Sequence, residues 1–233
     1  YISIGAHDDK KIGCPGEDSN NVVSAVKMLR DVGEGNAPNL DGKRVCVVGG
    51  GNVAMDATRT SLRLGASHVS CVYRRRIEDM TALTEEIEEA QAEGAEIKTL
   101  FAPDHIEADE NGNVCALWVQ PQIISDVSSD GRTNVKNADK PLVKIPCDYI
   151  IVAIGQSIES KHFEQSGILT KRGAIQAEKS CFVPGSKNVF AGGDAVSGPA
   201  TVIRAVAAGK VAAANIDEFL GFNHKITVDV EVP

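Results

Sequence analysis

The residues best suited to chemistry in this sequence are a run of glycines and, further along, a run of arginines. The glycine run fits the pattern G-x-G-x-x-A, whose first glycine permits a tight turn and whose second lets the backbone approach a pyrophosphate. The closing alanine packs the following helix against the preceding strand, and free N–H groups at the helix start face the anion. The pattern therefore predicts a dinucleotide site formed by Gly49, Gly50, Gly51, Asn52, Val53 and Ala54.

The arginine run occupies the position that selects between the two nicotinamide dinucleotides. An NAD site places an aspartate or glutamate about 20 residues past the glycines, where it binds the ribose 2′-hydroxyl. An acidic residue would repel a 2′-phosphate, whereas a guanidinium can bind it through two hydrogen bonds. We therefore predict an NADP(H) site at Arg74, Arg75 and Arg76. One alternative stays open, an NADH-specific protein in which these arginines only make salt bridges.

Both runs lie within a predicted β-α-β unit, which is the setting that gives a glycine pattern its meaning. An apolar, β-branched run at 45–48 predicts a buried parallel strand, residues 53–64 predict a helix, and residues 69–73 predict a second strand. The flanking patterns predict a strand at Tyr1–Ala6, a helix at about 20–31, a helix capped by Thr81 and ended by Gly94, and a strand at about 95–101.

Beyond these elements the hydrophobic pattern changes to strand-like alternation, with Asn111-Gly112 and Asp130-Gly131 as hairpin turn signals. Residues 104–146 therefore predict an antiparallel meander that covers the sheet. A buried strand is predicted at 147–154, and an edge hairpin around Gly173.

The C-terminal region carries a second candidate site. Residues 188–194 predict a short strand that runs into Gly193-Asp194, and a helix is predicted from about 200 to 219. An aspartate after a strand, followed by a helix N-terminus, can bind a ribityl or ribosyl hydroxyl. A turn aspartate with a capping role explains Asp194 equally well on local grounds, so both interpretations stay open.

Composition and charge argue against several other classes of protein. The 42% hydrophobic and 24% charged residues are typical of a globular protein, and the formal net charge of −8 disfavours a nucleic-acid-binding surface. No run approaches the roughly 18 apolar residues of a membrane span. The six cysteines form no C-x-x-C pair, so no metal site or local disulfide is predicted, and free thiols in a reducing cytoplasm are expected.

Taken together, these motifs resemble the glutamate synthase small-subunit family of NADPH/FAD oxidoreductases, within the pyridine nucleotide-disulfide oxidoreductase superfamily. The resemblance covers nearly the whole chain. It extends to the corresponding segment of dihydropyrimidine dehydrogenase and to electron-bifurcating ferredoxin:NADP oxidoreductases. Its most specific pieces are Gly49–Asp56, Val72–Arg75, Val152–Gln156, Val189–Asp194 and Gly198–Lys210.

The resemblance implies a fold with two nested nucleotide domains. The class is α/β, with a Rossmann-like three-layer ββα dinucleotide-binding domain (parallel sheet, antiparallel meander) inserted into an incomplete second FAD-type Rossmann domain. Residues 1–42 would be a returning segment of the FAD domain and a linker. Residues 43–156 would be the NADP(H)-binding domain, and residues 157–233 the C-terminal part of the FAD-binding domain.

The resemblance also implies cofactor contacts. Residues Ala153, Ile154 and Gly155 would line the NADP cleft. Gly193 and Asp194 would meet the ribityl chain of FAD, and the backbone around Thr201 would approach the flavin ring.

The chain departs from the family pattern in two respects. The glycine fingerprint that would hold the FAD pyrophosphate is absent from these 233 residues, and so are the family's N-terminal iron–sulfur cysteines. The sequence has no initiator methionine and is expected to be cut from a longer polypeptide. We therefore expect the chain as given to bind NADP(H), to hold FAD weakly or not at all, and to be inactive alone.

The predicted function is that of an NADPH-dependent flavin oxidoreductase module. Hydride would pass between NADP(H) and FAD, and electrons would continue to iron–sulfur centres or to a larger partner subunit. No catalytic residue or metal ligand is predicted, because the cofactors carry this chemistry. Two alternatives remain: an NADP-binding module without redox activity of its own, and a ferredoxin:NADP oxidoreductase-type subunit. A scaffold protein is disfavoured, because it leaves the glycine pattern unexplained.

Overall fold

The computed structural model describes residues 1–127 and 133–227, which divide into two compact units. The first unit comprises Asp9–Gly155 and is named the nucleotide unit, because it contains the glycine pattern predicted to bind a dinucleotide. The second unit comprises Tyr1–Asp8 together with the chain from Gln156 onward. The backbone N–H of Lys10 donates to the carbonyl of Gly155 at 3.1 Å. The two ends of the nucleotide unit therefore adjoin each other.

The strands of the described residues, in chain order, are β1 (Asp8–Asp9), β2 (Val22–Ser24), β3 (Arg44–Gly49), β4 (His68–Tyr73), β5 (Glu96–Thr99), β6 (Phe101–Ala108), β7 (Val114–Val127), β8 (Thr133–Asn137), β9 (Val143–Pro146), β10 (Tyr149–Ala153), β11 (Gln156–Ser157), β12 (Thr170–Lys171) and β13 (Ala174–Ile175). The helices are α1 (Ala25–Gly33), α2 (Asn52–Arg63), α3 (Thr84–Ala92), α4 (Lys161–Gln165), α5 (Asp194–Ser197) and α6 (Val202–Phe219), with a 3-10 helix at Ile77–Asp79.

A parallel sheet in the order β2-β10-β3-β4-β5 forms the middle layer of the nucleotide unit. Successive side chains along its strands point alternately to two buried faces. Val45 and Val47 lie in the core that includes residues of α1, α2 and α3. Cys46 and Val48 lie in a second core with residues of the antiparallel strands β6, β7 and β9. Helices on one face and an antiparallel layer on the other make the predicted three-layer ββα arrangement, which is confirmed.

The segment at 20–31 differs from its prediction as a continuous helix. Val22 and Val23 instead form β2, which pairs in parallel with β10. Their branched side chains favour extended backbone, and the unpaired edge of β10 provides a partner. Ser24 then caps α1, since its hydroxyl accepts the N–H of Lys27 at 3.0 Å. Residues 9–42 consequently pack with residues 43–155, whereas the sequence-based division grouped residues 1–42 together.

The start of α3 also differs from its prediction, which made Thr81 the capping residue. The N-cap is Leu83, whose N–H donates to the side-chain oxygen of Asn52 at 3.0 Å. The N–H groups of Thr81 and Ala82 donate to the carbonyl of Gly50 at 2.9 and 3.1 Å. These bonds hold the segment before α3 against Gly49–Gly51, the glycine loop between β3 and α2, so the helix begins later.

Two of the predicted hairpins are confirmed. The chain turns at Asn111-Gly112 between β6 and β7, which pair antiparallel, and β12 pairs with β13 on either side of Gly173. The turn predicted at Asp130-Gly131 lies outside the described residues.

The second unit contains α4, α5 and α6 and a short parallel bridge. The strand predicted at Tyr1–Ala6 is reduced to one bridge between Ile2 and Ala191. The N–H of Ile2 donates to the carbonyl of Phe190 at 2.8 Å, and that of Gly192 donates to the carbonyl of Ile2 at 3.1 Å. All six cysteines are free thiols. No helix of the described residues has the length and apolarity needed to cross a membrane.

A close approach of two strands limits the side chain at Gly49. A Cβ added there would overlap the carbonyl oxygen of Ala153, and the φ angle of Gly49 is 155°. We expect Gly49→Ala to lower the free energy of unfolding by about 1–3 kcal/mol, because overpacking forces backbone shifts. Denaturant unfolding measures this change.

The control is Gly33→Ala in α1, where a Cβ would meet no atom of the described residues within 4 Å. This change should be neutral or slightly stabilising, since alanine favours helix. Equal losses at both positions would contradict the packing argument.

A buried carboxylate ties the sheet to the antiparallel layer. The side chain of Asp79 is 4% exposed, and the Arg76 guanidinium binds it through two hydrogen bonds of 2.8 and 3.0 Å. The same carboxylate accepts the hydroxyl and the N–H of Thr133, the first residue of β8. Arg76 and then Thr133 hold the pKa of Asp79 well below its usual range.

A depressed carboxyl pKa stabilises the fold above the unfolded-state pKa, about 3.9 for aspartate, and this stability is lost as the pH falls. Asp79→Asn should therefore lower the free energy of unfolding near neutral pH. Its difference from wild type should shrink progressively below about pH 4. Urea unfolding of both proteins across this range measures the gap, and a gap that stays constant would rule out a contribution from the charge of Asp79.

Candidate functional site

The glycine loop begins where β3 ends at the edge of the parallel sheet. Gly49 is the last residue of β3, and α2 begins at Asn52 with Gly51 as its N-cap. No side chain of the described residues caps this helix start. Since the first N–H groups of a helix have no intrahelical acceptor, this edge presents free donors and the positive end of the helix dipole.

Gly50 lies beneath an aromatic ring from the neighbouring strand. A Cβ on Gly50 would lie 2.5 Å from the ring of Tyr73, the last residue of β4. A Cβ on Gly51 would lie 3.3 Å from the hydroxyl of Thr81. The glycines therefore let the loop pass close to β4 and to the segment that follows it.

The remaining residues of the predicted glycine pattern have different surroundings. The side-chain oxygen of Asn52 is occupied by the N–H of Leu83. Val53 is half-buried against the helical core, and Ala54 is fully buried there. The alanine thus has the close-packing role that the pattern predicted, while a ligand would meet the backbone of this turn.

The predicted cleft residues are the last residue of β10 and the two residues that follow it, and β10 lies next to β3. Ala153 pairs with Gly49 in the register of these two strands. Ile154 is 39% exposed, and Gly155 adopts a φ of 112°. The structure thus brings the start of this segment directly beside the glycine loop.

The three predicted arginines follow β4, and each lies in a different environment. Arg74 is exposed. Arg75 is half-buried, and its Nε is buried without a hydrogen-bond partner among the described residues. Buried polar groups normally have a partner, so this nitrogen favours a ligand with acceptor oxygens. Arg76 instead has its guanidinium engaged by Asp79.

Sequence reasoning did not identify Tyr73 and Asp79 as part of this site. The hydroxyl of Tyr73 donates to the backbone carbonyl of Asp79 at 2.8 Å. The separation of three residues between Arg76 and Asp79 was a visible signal, because such pairs meet on one helical turn. The contribution of Thr133 had no local signal.

The other predicted cofactor residues lie in the second unit. Gly193 adopts a φ of 66° immediately before α5, and Asp194 is the first residue of that helix. The N-cap of α5 is Gly193, which has no side chain to cap the helix. Thr201 caps α6, since its hydroxyl accepts the N–H of Arg204.

A surface cavity of about 340 Å³ lies elsewhere in the nucleotide unit. Its lining includes Arg44, His68 and Glu96, which begin β3, β4 and β5. The cavity is therefore at the opposite ends of the strands from the glycine loop. Its basic residues already have partners, as in the pairs of Arg44 with Asp148 and Lys98 with Glu96.

The geometry at the carboxyl edge suits an elongated anionic ligand with two charged groups. Backbone donors at the start of α2 can hold one phosphate, and Arg74 and Arg75 can hold another. Among the described residues, no cluster of histidine, cysteine or acidic side chains could hold a metal ion.

Comparison with known proteins agrees with this architecture. The NADP(+)-dependent formate dehydrogenase subunit beta of Moorella thermoacetica is 36% identical over 222 residues, which cover 94% of this chain and 31% of that protein. The glutamate synthase (NADPH) small chain of Escherichia coli is 32% identical over 235 residues, covering 94% and 50%. The chain thus spans between about a third and a half of the length of these relatives.

The solved structure of FprA from Mycobacterium tuberculosis in complex with NADPH has a TM-score of 0.73 to this chain at 20% identity. The match covers 94% of this chain and 62% of that one, and it confirms the predicted Rossmann-type α/β fold. The sequence profile of the pyridine nucleotide-disulphide oxidoreductase family matches residues 2–209. The chain therefore belongs to the pyridine nucleotide-disulphide oxidoreductase family.

Proposed function

We propose that this chain is the NADP(H)-binding part, and a portion of the FAD-binding part, of an NADPH-dependent flavin oxidoreductase. The observation that carries the proposal is the joint position of the glycine loop and Arg75 at the carboxyl ends of adjacent strands, with the Arg75 Nε buried and unpartnered. Asp9–Gly155 would be the nucleotide-binding domain, and the second unit would contribute to the flavin domain.

The residues present fit NADP(H). The turn has no room for side chains at Gly49 and Gly50, and it leads into helix N–H donors without a side-chain cap that suit the pyrophosphate. Arg74 and Arg75 would bind the 2′-phosphate, and Ala153, Ile154 and Gly155 would line the cleft next to the loop. Arg76 is already paired with Asp79, so two of the three predicted arginines remain for the ligand.

The residues present fit only part of FAD. The position of Asp194 at the start of α5, directly after Gly193, supports its proposed contact with ribityl hydroxyls, with the backbone at Thr201 near the ring. A second glycine fingerprint for the FAD pyrophosphate does not occur in these 233 residues.

The chemistry supplied when both cofactors are bound is hydride transfer between the nicotinamide and flavin rings. The residues of this chain then bind and orient the nucleotide and discriminate NADP(H) from NAD(H). The glycine loop fixes the pyrophosphate, and the arginines fix the adenosine end. No side chain of this chain is proposed to move a proton for that transfer, because the cofactors carry the chemistry.

Two of the relatives are named as a subunit or a small chain, which supports a larger partner. We propose that this partner, a catalytic subunit or an iron–sulfur domain, accepts the electrons.

The six free thiols fit the reducing cytoplasm expected from the sequence. A ferredoxin:NADP oxidoreductase-type subunit would use the same entry site, and an NADP-binding module without redox activity would lack the flavin contacts at Asp194.

The specificity of the site can be tested with Arg74→Ala/Arg75→Ala. Two charge-assisted contacts of roughly 1.5–3 kcal/mol each should give wild type a preference for NADP⁺ over NAD⁺ on the order of 10²–10⁴. The double variant should lose this preference while keeping its affinity for NAD⁺. Isothermal titration calorimetry with both nucleotides measures it.

Arg63→Ala is the matched control, because Arg63 is an exposed arginine at the last turn of α2 with Glu93 as its partner. This variant should retain the wild-type preference. Equal binding of NAD⁺ and NADP⁺ by wild type would refute the NADP(H) assignment.

The flavin content of the chain can be tested separately. We expect the purified 233-residue chain to contain far less than one FAD per chain, because no second glycine loop holds the FAD pyrophosphate. The same preparation should bind NADP⁺. Visible absorbance after denaturation quantifies the flavin, and stoichiometric FAD would show that the chain completes the flavin site by another route.

A further inference from the structure

Arg76 makes a bidentate, two-pronged bond to Asp79 that leaves its guanidinium little freedom to reach a ligand. Its Nε and one terminal nitrogen donate to the two carboxylate oxygens of Asp79 at 2.8 and 3.0 Å. A planar guanidinium paired in this way on a carboxylate is a strong and directional contact. The side chain of Asp79 is 4% exposed, so losing Arg76 would leave a buried charge short of donors.

Asp79 is fixed from two further directions. Its backbone carbonyl accepts the hydroxyl of Tyr73 at 2.8 Å. Its carboxylate also accepts the hydroxyl of Thr133 and, at 3.4 Å, the backbone N–H of Thr133. The bond between the Tyr73 hydroxyl and the Asp79 carbonyl therefore closes the chain between these two residues into a loop.

This loop carries Arg74 and Arg75 and is fastened to the glycine loop. The ring of Tyr73 lies so close to Gly50 that a Cβ there would be 2.5 Å away. The carbonyl of Arg75 accepts the N–H of Leu100 at 3.0 Å, which anchors the middle of the loop to the next part of the chain. The backbone of both arginines is thus fixed relative to the glycine loop.

We propose that Asp79 is a positioning residue for NADP(H) specificity: it binds Arg76 and thereby holds the loop in the shape that presents Arg74 and Arg75 to the 2′-phosphate. This inference rests on the proposed function, since it presumes that the arginines bind that phosphate. Arg76 and Asp79 act together and do not touch the nucleotide.

A direct contact between Arg76 and the 2′-phosphate predicts the opposite effect of Asp79→Asn on NADP⁺ affinity. If Arg76 contacted the 2′-phosphate directly, Asp79 would compete for it, and Asp79→Asn would free the guanidinium and raise the affinity for NADP⁺. Removing a negative charge near a phosphate also raises affinity, because it removes Coulomb repulsion. A fall in NADP⁺ affinity on removing this negative charge therefore distinguishes positioning from direct contact.

The experiment measures NADP⁺ and NAD⁺ binding by calorimetry on the full 233-residue chain. Asp79→Asn and Arg76→Ala should each weaken NADP⁺ by about tenfold, with NAD⁺ unchanged. The double variant should be no weaker than either single variant, because both remove the same bond. Thr133→Val, which removes only the hydroxyl donor, should weaken NADP⁺ in the same direction by less, and it decides the matter if Asp79→Asn does not fold.

The matched control is Glu78→Gln, which removes the same charge from the neighbouring residue. Glu78 is exposed and lies 4.0 Å from the Arg76 guanidinium, outside the two-pronged bond. This variant should bind NADP⁺ as wild type does or slightly more tightly.

The outcomes separate this inference from the proposed function. If wild type prefers NADP⁺ but Asp79→Asn binds it unchanged or more tightly, the positioning role is overturned and the proposed function stands. A parallel loss of NAD⁺ and NADP⁺ affinity overturns it as well, since that is a general structural effect. If wild type has no preference for NADP⁺, both the assigned specificity and the positioning role are overturned.

Discussion

The close approach of β3 and β10 at Gly49 and Ala153 is the constraint on which the nucleotide unit depends. The two strands pair in register from Val45 and Tyr149 to this point, and the last pair leaves no space for a Cβ on β3. Because the strands stay paired to their ends, the turn into α2 starts at the sheet edge itself. The helix donors are thereby delivered to the same edge as the residues that follow β4 and β10.

The second constraint is the buried carboxylate of Asp79, which accepts hydrogen bonds from its neighbours. A carboxylate removed from water is costly unless donors surround it. At Asp79 those donors come from Arg76, three residues earlier, and from Thr133 on β8. The same contacts that make burial tolerable also join the parallel sheet to the antiparallel layer. The stability of the fold and the shape of the loop that carries Arg74 and Arg75 therefore have a common physical origin.

Much of the fold could be predicted, because its signals are local. The glycine pattern between two apolar runs gave the β-α-β unit, and alternation with turn residues gave the antiparallel layer. The glycine loop and the arginines could be placed at one edge for the same reason. The short strand β2 could not, since two valines before a helix match helical periodicity as well as extended backbone. The late start of α3 depends on bonds to Gly50, which no helix signal contains. The bond between Asp79 and Thr133 joins positions 54 residues apart and has no signature in a single sequence.

The bond between Lys10 and Gly155 has a consequence for how such a protein can change over time. The chain enters and leaves the nucleotide unit at one place, as in domains that tolerate insertion into another chain. A unit with adjoining ends can be lengthened, recombined or exchanged for a relative without altering the distance that its flanking segments must bridge. Changes within Asp9–Gly155 can therefore be selected separately from changes in the segments that flank it.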